Sequence, residues 1–130
     1  MPLPKRIVSR KDEITSDFMK EVEIHMLDIL EGRATHMYRI KHFAERLFIH
    51  PTHLSNTIYL TTGKSPCDFL VARLMEYTYK LLQDPAIPIA EVSERLTFDE
   101  PTNFTKFFKQ NAGITPRMYR KQLGLMKQAA

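Results

Sequence analysis

One unit of about thirty residues occurs twice in this chain. The segment from Ile40 to Phe69 aligns with the segment from Ile89 to Tyr119, with a one-residue insertion in the second copy. The residues identical in both copies are Ile40, Glu45, Arg46, Leu47, Pro51, Thr52, Gly63 and Pro66, which recur as Ile89, Glu94, Arg95, Leu96, Pro101, Thr102, Gly113 and Pro116. The number of residues between matching positions is constant before the insertion and constant again after it. Such a match indicates one supersecondary unit used twice. The fold therefore has to contain two copies of the same element and a connection between them.

Helical periodicity predicts the form of each copy and of the connection. Each copy reads as a short helix, a tight turn and a second helix. In the first copy the second helix starts at Pro51 and runs to about Thr62, where Gly63 ends it, and in the second copy it runs from about Glu100 to Asn111. The connection predicts one long helix from Ser65 to Gln83, opened by a Ser65–Asp68 capping signature. Its apolar residues spread around much of its surface, as expected for a helix that packs on more than one side.

A further amphipathic helix is predicted before the first copy. A Ser9–Asp12 capping signature opens it and Gly32 ends it. Its buried face is predicted from the apolar residues that recur at three- and four-residue steps, namely Ile14, Phe18, Val22, Met26, Ile29 and Leu30. No segment of the sequence has a convincing strand pattern. We therefore predict an all-α fold of seven helices, in which two homologous helix-turn-helix subdomains are joined by a long linker helix.

These elements divide the chain into five predicted segments. They are a flexible N-terminal arm (1–11), the first helix-turn-helix subdomain with its bracing helix (12–64), the linker helix (65–84), the second helix-turn-helix subdomain (85–123) and a frayed tail (124–130).

The length and composition of the chain limit the class of protein and the kind of partner that it can have. The 130 residues suffice for about one domain, and 19 Lys and Arg against 15 Asp and Glu give a net charge of +4. From Pro101 onward there is no acidic residue, which favours a polyanionic partner, with a solvated charged face as the alternative. Cys67 is the single cysteine, and the sequence contains neither a signal-peptide pattern nor a long apolar run. We therefore expect a soluble, cytoplasmic protein without disulfides or membrane association.

The second helix of each copy has an apolar back and a polar front, which is what a helix in the DNA major groove requires. The first copy offers Thr52, His53, Ser55, Asn56 and Tyr59, and the second offers Thr102, Asn103, Thr105, Lys106 and Lys109. Asn56 is suited to pair with adenine and Lys106 with guanine. A linker helix of about 18 residues spans roughly 27 Å. With the helix widths added, the two reading helices approach the roughly 34 Å of one DNA turn, and so successive major grooves.

These features resemble the DNA-binding domain of the AraC/XylS family of bacterial transcription regulators, over about Ile40 to Lys121. The family's closing signature falls on Phe104, Phe108, Lys109, Gly113, Thr115, Pro116, Tyr119 and Arg120. The resemblance implies sequence-specific binding of double-stranded DNA, without a cofactor or metal. By analogy with the family, the base-reading candidates are Thr52, Ser55, Asn56, Pro101, Thr102 and Lys106. The phosphate-contact candidates, near helix ends or groove edges, are Arg39, Tyr59, Lys64, Lys109 and Arg117.

The chain departs from the family pattern at several positions. Phe48 and Thr97 stand in the turns where the family usually has glycine, which predicts slightly different turn geometry. Pro101 occupies a reading position but has no side-chain hydrogen-bonding group. Leu74 and Thr78 stand in the linker helix where the family favours Arg and Ala. The effector-binding domain of most family members is not in this sequence, which fits either a small stand-alone regulator or a piece of a longer one.

DNA binding is not the only class of function that this sequence allows. The main alternative is a helical protein–protein interaction module of a larger regulator, without DNA specificity of its own. RNA polymerase or another regulator domain is a further expected partner. His50 and His53 lack a third ligand nearby for a metal, and Cys67 suits inert packing better than reactivity. The sequence contains no nucleophile–base pair, phosphate loop or metal cluster, so no enzymatic activity is predicted.

Overall fold

The computed structural model of the chain describes residues 9–129, and side chains as far as Gly124. Within this range it contains helices and no strands. In chain order the helices are α1 (Arg10–Leu30), α2 (Ile40–Arg46), α3 (Pro51–Thr62), α4 (Pro66–Leu82), α5 (Ile89–Arg95), α6 (Pro101–Ala112) and α7 (Pro116–Ala129). The all-α class and the seven helices predicted from the sequence are confirmed for the described residues. None of these helices combines the length and the apolar character that crossing a membrane requires.

The described residues form two compact units, and α4 runs from one into the other. The first unit comprises the chain up to Asp28 together with Tyr38–Ala72, and the second comprises Ile29–Met37 together with the chain from Arg73 onward. Residues 29–37 thus pack with the second unit, although they precede the first repeat in the sequence. The segment boundaries proposed from the sequence stay a prediction.

In the first unit, α1 braces the helix-turn-helix formed by α2 and α3. The Phe18 ring of α1 lies edge-on to the buried Phe43 ring of α2, with centroids 5.5 Å apart. Arg46 Nε donates to Glu21 Oε2 at 2.6 Å, and this hydrogen bond raises the pKa of the Arg46 guanidinium. The predicted inner face of α1 is buried from Ile14 to Ile29, while Leu30 is only half-buried. Aromatic packing and an ion pair therefore fix the bracing helix.

In the second unit, Phe108 of α6 joins three helices. Its buried ring lies 5.5 Å from Tyr79 of α4 and 5.9 Å from Tyr119 of α7, measured between centroids. Phe104, one helical turn earlier, is also buried and lies 5.4 Å from the Phe98 ring. The helix that carries the polar stripe of the second repeat is therefore held from behind by aromatic rings.

The two repeats fold alike down to single hydrogen bonds in their turns. In the first turn, Ile49 N–H donates to Ala44 O at 3.0 Å and Phe48 N–H to Glu45 O at 3.2 Å. In the second turn, Phe98 N–H donates to Ser93 O at 3.1 Å and Thr97 N–H to Glu94 O at 3.0 Å. This is the Schellman arrangement that ends a helix with one left-handed residue, normally glycine. Here φ is 58° at Phe48 and 68° at Thr97, so both turns keep the geometry that glycine favours.

Replacing Thr97 by glycine is expected to raise the free energy of unfolding by about 1 kcal/mol. An L-residue in the left-handed region costs roughly 1–2 kcal/mol, which the greater chain entropy of glycine partly offsets. Urea titration followed by circular dichroism measures the change. Thr97→Ala is the matched control, because alanine keeps the Cβ that clashes and should stabilise little. An equal gain in the two variants would contradict this explanation.

Two helices extend past the segment boundaries proposed from the sequence. The predicted arm (1–11) lies outside the described residues up to position 8, but α1 begins at Arg10, capped by Ser9 Oγ, which accepts from Asp12 N–H at 3.2 Å. The predicted frayed tail (124–130) is helical as far as Ala129. Gly124 costs a helix only about 1 kcal/mol, and the good helix formers that follow it outweigh this cost. The helix therefore continues through Gly124.

Candidate nucleic-acid interface

The sequence places the second helix of each repeat between two fixed ends. α3 begins at Pro51 and α6 at Pro101, where the missing N–H of proline leaves no helical hydrogen bond unmade. Both helices have 12 residues and end at a left-handed glycine, with φ of 76° at Gly63 and 83° at Gly113. The two stripes of side chains on these helices therefore start and end at equivalent positions.

On α3, the structure exposes most of the predicted reading side chains on one stripe. Thr52, Asn56 and Tyr59 are exposed, whereas Ser55 is half-buried. Behind them, Leu54 and Ile58 are fully buried, which fixes the rotation of the helix about its axis. This stripe carries no charge and offers hydroxyl and amide groups, the types of side chain that read base edges.

On α6, the equivalent stripe is cationic. Pro101, Thr102, Lys106 and Lys109 are exposed, and the buried Phe104 and Phe108 form the opposite face. Between them, the stripes expose five of the six base-reading candidates, Ser55 being the half-buried exception. Their contacts with bases remain a prediction.

Side chains cap the first turns of α3 and α4. His50 Nδ1 accepts from Thr52 N–H at 3.1 Å and so caps α3, a role that the sequence interpretation missed. Ser65 and Asp68 form the predicted reciprocal capping box at the start of α4. Asp68 N–H donates to Ser65 Oγ at 3.2 Å, and Ser65 N–H donates to Asp68 Oδ2 at 3.1 Å. His50 was identifiable from its place just before a proline-initiated helix.

The phosphate-contact candidates are exposed in the structure. Arg39 stands just before α2, Lys64 follows α3, Lys109 lies in the last turn of α6 and Arg117 in the first turn of α7. The fifth candidate, Tyr59, exposes 64% of its surface beside the equally accessible Leu60, at 67%. Leu60 was not singled out in the sequence, although it follows Thr52 and Asn56 at four-residue steps. Lysine and arginine at helix ends are suited to phosphate contacts that position a protein on the duplex.

Leu74 and Thr78 of α4 are core residues. Both are buried, and Thr78 Oγ1 donates to Leu74 O at 2.7 Å, which satisfies the hydroxyl within the helix. These two departures from the family pattern therefore lie in the core and not on the exposed surface of α4.

Comparison with known proteins assigns the part of the chain that carries the two repeats to a known family. Residues 43–122 match the model of a helix-turn-helix domain. An uncharacterised helix-turn-helix-type transcriptional regulator of Bacillus subtilis, YobQ, is 33% identical over 84 residues, covering 65% of this chain and 35% of that protein. The chain thus spans about a third of the length of this curated relative.

Solved structures share the architecture. The C-terminal domain of AraT, a response regulator from Geobacillus stearothermophilus, superposes with a TM-score of 0.73 at 27% identity, covering 88% of each chain. The DNA-binding domain of AdpA, solved in complex with a target DNA, gives a TM-score of 0.67 at 18% identity, covering 85% of this chain and 96% of that one. At 18% identity the latter likeness concerns the fold alone.

Proposed function

The chain belongs to the AraC-type helix-turn-helix domain family, and from this premise we propose that it is the sequence-specific, double-stranded-DNA-binding domain of a bacterial transcription regulator. The observation that carries the proposal is the pair of equal repeats, each presenting a polar stripe on a 12-residue helix between a proline and a left-handed glycine. A helical interaction module needs no such duplication. Family membership and the regulators among its relatives support the same function.

In the proposed complex, α3 and α6 enter successive major grooves. Thr52, Ser55 and Asn56 contact base edges in one groove, with Asn56 bidentate to adenine. In the other groove Lys106 donates to guanine and Thr102 contacts a base, while Pro101 contributes apolar contact only. The five phosphate candidates fix the register, and counterion release from the backbone supplies affinity that does not depend on sequence.

Two broader roles accompany this proposal. The domain acts in the bacterial cytoplasm, and its second partner is RNA polymerase or another domain of a longer regulator. The relatives that extend well beyond the matched region support a longer regulator. No residue is assigned a catalytic role.

Selection of duplexes from a random library, followed by titration at two salt concentrations, tests the proposal. We expect one enriched sequence family and an affinity that falls steeply with salt. The logarithmic slope should be about −0.9 for each phosphate neutralised. Failure to enrich any duplex, or an affinity insensitive to salt, would favour the interaction module. An unrelated duplex of equal length is the control for binding without sequence preference.

Single substitutions distinguish base contacts from phosphate contacts. Asn56→Ala and Lys106→Ala should each weaken the selected duplex by roughly 1–3 kcal/mol and relax the preference at one base pair. Arg117→Ala should weaken all duplexes alike and make the salt slope shallower by about 0.9. Competition between the selected duplex and its single-base variants measures both effects. If Lys106→Ala weakens every duplex equally, Lys106 is a phosphate contact and its assignment to a base is wrong.

A further inference from the structure

Arg120 of α7 is a basic residue whose guanidinium the protein itself binds. Nε donates to Leu82 O at 3.0 Å and Nη2 donates to Asp84 O at 2.9 Å. Arg117 and Lys121, on the same helix, are exposed, whereas Arg120 is half-buried. Two of the five N–H donors of Arg120 are thus directed at backbone carbonyls.

The two carbonyls belong to the end of α4 and the turn that follows it. The last carbonyls of a helix have no partner within the helix and carry partial negative charge. A guanidinium placed there satisfies one of them and favourably opposes the helix dipole. The turn also has a hydrogen bond of its own, because Asp84 Oδ1 accepts from Ala86 N–H at 2.9 Å. Arg120 therefore joins α7 to the C-terminal end of the linker helix and to the turn that follows it.

A second contact in the same unit connects this anchor to α6. Tyr119, the residue before Arg120, packs its ring 5.0 Å from Tyr79 of α4 and 5.9 Å from Phe108 of α6, measured between centroids. Together the two neighbouring residues fix α7 against both the linker helix and the proposed reading helix. We infer that Arg120 is a positioning residue for DNA recognition. It contacts no phosphate and instead sets the direction in which α6 is held relative to α4.

This inference rests on the proposed function, and it distinguishes three roles that a basic residue in this region can have. As a phosphate contact, Arg120 would contribute to the salt slope. As a purely structural residue, it would change the thermal stability of the protein and leave its preference for one spacing between the two DNA half-sites unaffected. As a positioning residue, it changes how strictly the protein requires one spacing between its two DNA half-sites. The reason is that α4 joins the two repeats, and Arg120 binds the end of α4 that lies in the second repeat.

The test compares Arg120→Gln with Arg117→Gln on the selected duplex and on duplexes with one base pair inserted or removed between the half-sites. For the wild type, the ratio of affinities for native and altered spacing defines a spacing penalty. We expect Arg120→Gln to reduce this penalty by about 2- to 30-fold, the range for residues that couple two sites. Its salt slope should stay unchanged. Arg117→Gln should make the slope shallower by about 0.9 and keep the penalty.

Arg120→Lys keeps the charge but cannot donate to both carbonyls in the fixed geometry of a guanidinium, so it should fall between the wild type and Arg120→Gln. It also provides the measurement if Arg120→Gln does not fold. A shallower salt slope for either variant would make Arg120 a phosphate contact and overturn the inference. An unchanged spacing penalty with a lower melting temperature would overturn it in favour of a purely structural role. A wild type that enriches no duplex would overturn the proposed function as well.

Discussion

Insertion of two alanines between Ala72 and Arg73 is expected to weaken binding to the selected duplex by about 100- to 10,000-fold. That range is what joining two binding modules adds to the affinity of one. Two residues turn a helix by about 200° and lengthen it by about 3 Å. The insertion therefore directs the second stripe away from the groove that it reads when the first stripe is bound.

The site of insertion follows from the structure. The boundary between the two compact units falls after Ala72, within α4. Leu70 on one side and Leu74 on the other are buried, so an insertion here keeps each residue in the helical segment that packs with its own unit. A position nearer to either end of α4 would shift buried residues out of their own cores.

A four-alanine insertion at the same place is the matched control. It lengthens α4 by about 6 Å but turns it by only about 40° beyond a full turn. If helical phase dominates, the four-residue variant retains more affinity than the two-residue variant despite its greater length. Fluorescence anisotropy with the selected duplex, and melting curves to confirm folding, complete the measurement. Unimpaired binding by the two-residue variant would show that the repeats dock on DNA independently.

The repeat made much of the fold predictable. The predicted bounds of α3 (Pro51 to about Thr62) and of α6 (about Glu100 to Asn111) agree with the observed helices to within one residue. Proline favours the start of a helix and glycine favours its end, so both limits depend on local residues. The exposed stripes followed from the 3.6-residue period, which also predicted the buried rings behind them. Local chemistry was sufficient wherever a boundary or a face depends on residues within one turn.

Contacts between distant residues were not predictable in this way. The hydrogen bond from Arg120 to Leu82 O joins residues 38 apart. Arg120 belongs to the family's closing signature, but the signature does not predict which group its guanidinium contacts. The placement of residues 29–37 with the second unit is likewise a matter of packing. Leu74 and Thr78 differed from the family pattern, but only the three-dimensional structure shows that both are buried. The sequence identified the candidate stripes on α3 and α6, whereas tertiary contacts identify the residues that hold α6 in place.

Phe108→Ala is expected to lower the free energy of unfolding by about 3–5 kcal/mol, the usual cost of removing a buried phenyl ring. A typical domain has only about 5–15 kcal/mol in total, so this one change removes a large share. Phe107→Ala is the matched control, because Phe107 is adjacent, equal in size and only half-buried. It should cost clearly less. Urea titration of the three proteins measures the difference, and equal losses would mean that Phe108 is not the packing centre of the second unit.

DNA-binding measurements on Phe108→Ala distinguish the packing role of α6 from its proposed contacts with bases. Phe108 contacts no DNA in the proposed complex, so Phe108→Ala should lose binding only to the extent that the second unit unfolds. Its affinity should recover on cooling from a temperature within the melting transition to one below it. Lys106→Ala changes an exposed side chain, so it should lose affinity at every temperature without a change in stability. If Phe108→Ala stays weak for DNA while fully folded, the aromatic core also sets the orientation of α6, as we infer for Arg120.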